Sequence, residues 1–255
     1  MHSPFPTNTG FLCFGFLFAY IRPNGPKGKV MKILVIGGSG FVGRPLVEKL
    51  ATLGHAVTHI SRKPSIKEHI DGAKWFCCDR LNVSQISSII KDEAVEAIVD
   101  CCGKNELAIE TTLAACGKSV QHYVLLSSAA VYGSPGAIGE DTPARPSFPL
   151  GEAKLRAERK LINCKSKKMS ATIIRPSEVF GPGDSSPQRA IYFAKRCVNG
   201  APVVIPGRAE SILGPIFVEC LVEMIVKATL RPIASSFIVN AGGSPISFRQ
   251  LHEAW

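Results

Sequence analysis

The feature that most narrows the fold of this chain is the run Gly37-Gly38-Ser39-Gly40-Phe41-Val42-Gly43, which directly follows the apolar segment Lys32 to Ile36 and opens an amphipathic one. Glycines at 37, 40 and 43 permit a tight turn, close approach of backbone to a ligand, and helix packed hard against strand. A strand, this turn and a helix N-terminus with unpaired amides together cradle a pyrophosphate. The segment therefore reads as a dinucleotide-binding turn, with Gly37, Ser39, Gly40, Phe41, Val42 and Gly43 as its contacts. The alternative is a glycine-rich turn with a structural purpose only.

From Met31 onward, short apolar runs alternate with longer amphipathic ones. Strands are predicted at Lys32–Ile36, Ala56–Ile60, Trp75–Cys78, Ala97–Cys101, His122–Ser127 and Ala171–Ile174. Helices are predicted at Gly43–Leu53, Val83–Lys91, Glu106–Cys116 and Gly151–Asn163. Repeated β-then-α order implies an α/β protein with a doubly wound, parallel Rossmann sheet. After Arg175-Pro176 the texture changes to short elements punctuated by Gly181-Pro182-Gly183, Gly200-Ala201-Pro202, Pro206-Gly207 and Gly242-Gly243, which suits a smaller substrate-facing cap. The expected organisation is an extension at 1–30, a nucleotide-binding domain at 31–175, and a cap at 176–255 interleaved with the sheet. Ser247 to Trp255 reads as the start of a helix, so a truncated C-terminal part is expected.

A formal charge of +10 favours anionic partners: phosphorylated cofactors, nucleotide-linked substrates, RNA or an acidic membrane surface. The densest basic stretch, Lys154 to Lys168, has Glu152 and Glu158 at helical spacing, which favours a solvated helix face over a nucleic-acid site. Nine cysteines are spread thinly without CxxC or Cys/His ligand spacing, so reduced buried thiols are expected, with no metal site. Phe11 to Ile21 is too short to span a bilayer as a helix. The first thirty residues lack Asp and Glu. They read either as a transit segment for an organelle stroma or matrix, or as the product of an upstream start codon with Met31 the natural start in a cytoplasmic protein.

The second strand ends in Ile60-Ser61-Arg62-Lys63, without a carboxylate to hold the adenosine ribose hydroxyls. Cations at Arg62 and Lys63, beside Ser61, welcome a ribose 2′-phosphate, so NADP(H) is favoured over NAD(H). The alternative is that they are solvent-exposed loop charges. Asp79 and Arg80, just past the third strand, are placed to meet the adenine.

The glycine turn, Asp79-Arg80, the run Tyr123 to Gly133, Lys154, and Ile174 to Asp184 together resemble the NAD-dependent epimerase/dehydratase family, the extended short-chain dehydrogenases. Within it, Cys78-Asp79-Arg80, Val99 to Gly103, Glu140-Asp141-Thr142-Pro143 and the Gly200-to-Gly207 segment are similar to an atypical subgroup that includes chloroplast stem-loop-binding proteins, which are associated with RNA. The resemblance implies that Cys102, Gly103, Ser127 and Pro176 also border the dinucleotide. It implies a Ser, Tyr and Lys catalytic set, in which the phenol moves a proton, the ammonium lowers the phenol pKa and grips the nicotinamide ribose, and the Ser orients the carbonyl. The Ser falls on Ser128 and the Lys on Lys154, but the Tyr position is Leu150. Tyr132 and Tyr192 are candidate substitutes from loops, and Glu152 and Glu178 are nearby carboxylates. The resemblance also implies pairing into a homodimer through two helices. A second departure is Phe217-Val218-Glu219-Cys220, expected to serve packing.

Three readings follow. The first is an enzyme on a nucleotide-sugar or similar anionic substrate with an atypical active site. The second is a non-catalytic dinucleotide-binding protein, favoured by Leu150. The third is an RNA-associated protein.

Overall fold

The computed structural model describes residues 29–62, 69–133, 138–164, 169–185, 190–202, 212–232, 236–247 and 249–250. The 1–30 extension apart from Lys29 and Val30, with Tyr20, and also Lys63 lie outside them. The chain runs β1 (Lys32–Ile36), α1 (Gly43–Thr52), β2 (Ala56–Ser61), β3 (Ala73–Cys77), α2 (Val83–Asp92), β4 (Ala97–Asp100), α3 (Glu106–Ala115) and β5 (His122–Leu126). A 3₁₀ turn (Ala129–Val131) then leads to α4 (Pro149–Ile162), β6 (Ser170–Pro176), β7 (Val179–Phe180) and α5 (Ala190–Val198). Last come β8 (Ile212–Leu213), β9 (Ile216–Phe217), α6 (Val218–Leu230), β10 (Phe237–Ala241) and β11 (Ile246–Ser247).

Seven strands form one sheet in the order β10-β6-β5-β4-β1-β2-β3, with every neighbouring pair parallel. Successive residues of a strand face opposite sides, so both faces of a covered parallel sheet must be apolar. Ile33 and Val35 join α1 residues Leu46, Val47 and Leu50 and α6 residues Leu221, Val222 and Ile225 in one core. Leu34 and Ile36 join Ile86, Ile89 and Ile90 of α2, Ile109 and Leu113 of α3, and Leu161 of α4 in the other. The strand order reverses between β1 and β4, which opens a crevice beyond their C-terminal ends.

The described end of the chain does more than cap this sheet. Helix α6 covers one face and β10 extends one edge, pairing with β6 from Phe237↔Thr172 to Ala241↔Pro176. Periodicity alone made this stretch look loop-rich because β10 is followed at once by Gly242-Gly243. Ser247, expected in a helix, lies in β11; its Oγ accepts from the Gln250 amide at 3.1 Å, in the manner of a helix cap. Residues 251–255 of that expected helix lie outside the described residues.

Other boundaries move by one or two residues. Trp75–Cys78 becomes Ala73–Cys77, and Gly151–Asn163 becomes Pro149–Ile162, since Pro at N1 costs no backbone bond there. Cys101, Ser127 and Leu53 fall just outside the elements predicted to hold them, and β6 runs on from Ile174 to Pro176. The thiols are not uniformly buried: Cys78 and Cys116 are, whereas Cys77 is exposed.

Candidate active site

A cleft of about 870 Å³ lies at the crevice, within the usual size of small-molecule sites. Gly37, Ser39, Gly40, Phe41, Val42 and Gly43 line it beyond β1. The Gly40 amide donates to the Gly37 carbonyl at 3.0 Å, and the Arg44 amide to Gly40 at 2.9 Å, so turn and helix share one hydrogen-bonded run. A Cβ on Gly43 would stand 2.1 Å from the Gly37 carbonyl oxygen. Only glycine lets α1 start against the turn.

Beyond β2 and β3 the lining continues through Ser61, Arg62, Asp79 and Arg80. The Ser61 hydroxyl accepts from the Trp75 indole at 2.9 Å, and Arg62 is exposed. Asp79 closes its own turn, taking the Leu81 amide at 2.9 Å. Arg80, expected at the adenine, is turned largely inward. Its guanidinium grips both oxygens of Asp100 at 2.9 and 2.8 Å and reaches the Ala108 carbonyl at 2.7 Å and the Thr112 hydroxyl at 3.0 Å. Burial alone would weaken its charge, but Asp100 holds it protonated. Asp100 also takes the Cys102 amide and the Tyr123 hydroxyl. Sequence reasoning passed over Asp100, although a lone carboxylate ending an apolar strand was the available signal.

On the far side of β1, beyond β5 and β6, Ser128, Leu150, Lys154 and Pro176 line the cleft. Ser128 Oγ accepts from the Ala130 amide at 3.1 Å, which leaves its own proton to donate. A Cβ on Gly151 would meet the Ala130 carbonyl at 2.2 Å, so glycine allows α4 to touch the Ser128 turn and sets Leu150 and Lys154 beside it. Lys154 Nζ donates to the Leu126 carbonyl at 2.8 Å. Burial lowers its pKa, opposed by Asp100. Leu150 is 59% exposed at the rim, so it is no core residue displaced into this position by packing.

Two residues assigned to the dinucleotide do not line the cleft. Gly103 sits where a Cβ would meet Leu125 Cδ1 at 2.5 Å, so its smallness serves packing. Ser127 is buried and donates to Glu158 within an internal network. Cys102 does line it and accepts from Arg80 at 3.4 Å; burial pushes its thiol pKa up, does the same at Cys101, and takes Cys78 to about 11.

Neither candidate tyrosine stands in for Leu150. Tyr132 is buried, its hydroxyl accepting from Arg175 and donating to Asn240, each at 2.8 Å. Tyr192 lies under Arg196 on α5, outside the cleft lining. Glu152 pairs with Arg156 on the helix surface, whereas Glu178 does line the cleft. The basic face of α4 is largely answered by acid: Arg156 meets Glu152 at 3.8 Å, and Lys160 meets Glu106 at 3.7 Å and Glu110 at 3.0 Å. Phe217 packs edge-on against Phe180 at 5.5 Å, and Val218 is buried, as a packing role requires.

The profile of the NAD dependent epimerase/dehydratase family matches residues 33–242. The chain belongs to that family. It is 26% identical to the UDP-glucose 4-epimerase of Mycolicibacterium smegmatis over 88% of this chain and 81% of that one. It is 27% identical to the chloroplast stem-loop binding protein of 41 kDa b of Arabidopsis thaliana over 83% of this chain and 58% of that one. Among solved structures, MoeE5 in complex with UDP-glucuronic acid and NAD superposes with a TM-score of 0.74 at 25% identity, covering 86% of this chain and 79% of that one. The chain spans from 46% to 81% of the length of these and similar curated relatives. Among the described residues no helix is long and apolar enough to cross a membrane.

Proposed function

We propose that this member of the family binds NADP(H) in preference to NAD(H) across the cleft and uses it for reversible hydride transfer at a hydroxyl-bearing carbon of a nucleotide-linked sugar or comparable anionic substrate. The observation that carries this reading is one continuous lining that holds the glycine turn, Arg62, Ser128 and Lys154. Relatives named UDP-glucose 4-epimerase and the MoeE5 complex with UDP-glucuronic acid and NAD support the substrate and cofactor classes.

The residues fit the group. The close turn at Gly43 leaves backbone amides of α1 facing the crevice for a pyrophosphate. Ser61 and Arg62 line the cleft where they would border the adenosine ribose, and Arg62 would supply a charge for a 2′-phosphate. Asp79 lines the adenine end, and Arg80 with Cys102 forms its wall. Pro176 lines the cleft where it would border the nicotinamide end. Of the three Lys154 protons one goes to Leu126, so the others suit ribose hydroxyls. Ser128 orients the substrate oxygen. The bound dinucleotide supplies a hydride acceptor or donor at its nicotinamide ring.

Two results test the cofactor part. The unmodified protein is expected to bind NADPH more tightly than NADH in a fluorescence titration. Arg62→Asp should weaken NADPH by about tenfold or more, the worth of one charge-assisted contact, and leave NADH within roughly threefold. Tighter NADH binding by the parent would reverse the assignment. Gly43→Ala should weaken both dinucleotides by roughly tenfold or more in the same titration, because the overlap with Gly37 needs α1 to move. Unchanged affinity in that variant would remove the glycine turn from the binding site.

A further inference from the structure

Oxidation of an alcohol at the proposed site needs an acceptor for the hydroxyl proton, and Leu150 offers none. We propose that Glu178 is that acceptor, and the donor in the reverse direction; this rests on the hydride-transfer reading above.

Placement comes first. Glu178 follows β6 as Ser128 follows β5, and these strands are neighbours in parallel register, with Leu126 opposite Ile174 and the Ser127 amide on the Ile174 carbonyl at 2.7 Å. Both residues therefore leave the same edge of the sheet on adjacent strands, and both line the cleft with Lys154. The backbone around Glu178 is pinned on each side: the Ser177 amide donates to Ala241 of β10, and the Glu178 carbonyl accepts from Ile216 of β9, each at 2.8 Å. The backbone that carries this half-buried side chain is thus fixed at the mouth of the cleft, which limits where its carboxylate can reach.

Elimination points the same way. Among the described residues lining the cleft, the groups able to exchange a proton are Asp79, Glu178, Lys104, Lys154 and three cysteines. Lys104 is exposed beyond β4, two strands away from β6. Asp79 stands beyond β3, on the opposite side of the glycine turn. Cys78, Cys101 and Cys102 have thiol pKa values raised by burial, which holds them protonated. Lys154 Nζ donates to the Leu126 carbonyl, and its remaining protons are assigned to the ribose hydroxyls. Glu178 is the carboxylate at the Ser128 end.

The step balances as follows. The substrate O–H bond breaks and its proton passes to the Glu178 carboxylate. The C–H bond at the same carbon breaks with its electron pair, which leaves as hydride to the oxidised dinucleotide. A carbonyl, a protonated Glu178 and the reduced dinucleotide result, and reversal returns each. The Ser128 hydroxyl donates to the developing carbonyl oxygen throughout.

The test follows dinucleotide reduction with UDP-glucose and UDP-glucuronic acid as probes, in the parent, Glu178→Gln, Glu178→Ala, Leu150→Tyr and the double variant Leu150→Tyr with Glu178→Gln. Glu178→Gln should lower kcat roughly a hundredfold with NADPH affinity unchanged. Formate should restore part of the Glu178→Ala rate, and the phenol of Leu150→Tyr should restore part of the Glu178→Gln rate by supplying a proton acceptor on another element. Neither rescue would follow from a merely structural loss. A parent that turns over and keeps its kcat in Glu178→Gln overturns the assignment, as does turnover that exists only where Leu150→Tyr is present. Silence of all five proteins on both probes, with NADPH bound, overturns hydride transfer on these substrates and Glu178 with it.

Discussion

Asp100→Ala is expected to destabilise the protein by about 3–5 kcal/mol, the usual cost of removing one partner from a buried ion pair. Asp100 is fully buried, and the Arg80 side chain is only 13% exposed. Removing the carboxylate strands a guanidinium charge between β4 and α3, and it also strands the Tyr123 hydroxyl and the Cys102 amide, which donate to Asp100 at 2.7 and 3.0 Å. For a chain of this size the loss corresponds to a fall of roughly 6–20 °C in Tm. Replacing both partners, Asp100→Leu with Arg80→Met, should recover most of it, because nothing charged is left without a partner. Urea unfolding of the parent and the two variants reads the difference. A single variant within about 1 kcal/mol of the parent would mean that water reaches Arg80 and that its pairing does not hold the cleft wall.

That pair also shows how much of the molecule can be read from residues in order. The glycine turn, the parallel sheet and the succession of strands were legible because each rests on local spacing: three glycines behind an apolar run, then alternating short and long apolar periods. Gly37, Ser39, Gly40 and Gly43 accordingly sit in the cleft where they were expected. Arg80 lines the cleft at the expected place along the chain, but the inward direction of its guanidinium is set by Asp100, twenty residues away and invisible to spacing. Gly103 and Ser127 likewise lie outside the cleft lining: one is small to admit Leu125, the other is held inward by Glu158. Glu178 could be noticed in sequence but not separated from Glu152; what separates them is that one leaves a strand end into the cleft while the other lies on the surface of α4.

Glu158→Ala should produce a loss of similar size, about 3–5 kcal/mol, together with weaker dinucleotide binding. Glu158 is 1% exposed and takes Arg175 through two bonds, Nε at 3.0 Å and Nη2 at 2.6 Å. Arg175 lies 4.9 Å from the centre of the Tyr132 ring and donates to its hydroxyl, which continues to Asn240 on β10. The network thus joins α4, β6, the Ser128 turn and β10. Leu150, Lys154 and Glu158 follow one another at four-residue spacing on one face of α4, so the helix that presents Leu150 to the cleft and Lys154 to Leu126 is anchored below by Glu158. Pairing Glu158→Leu with Arg175→Met should restore stability to within about 1–2 kcal/mol of the parent, since replacing both members of a buried pair is often close to neutral. It should not fully restore the NADPH affinity, because the directional hold on α4 from Arg175 is gone. Unfolding curves and NADPH titrations on the same preparations separate the two effects. If the double variant regains both, Glu158 serves stability alone and Lys154 is placed by the contact of Gly151 with the Ser128 turn.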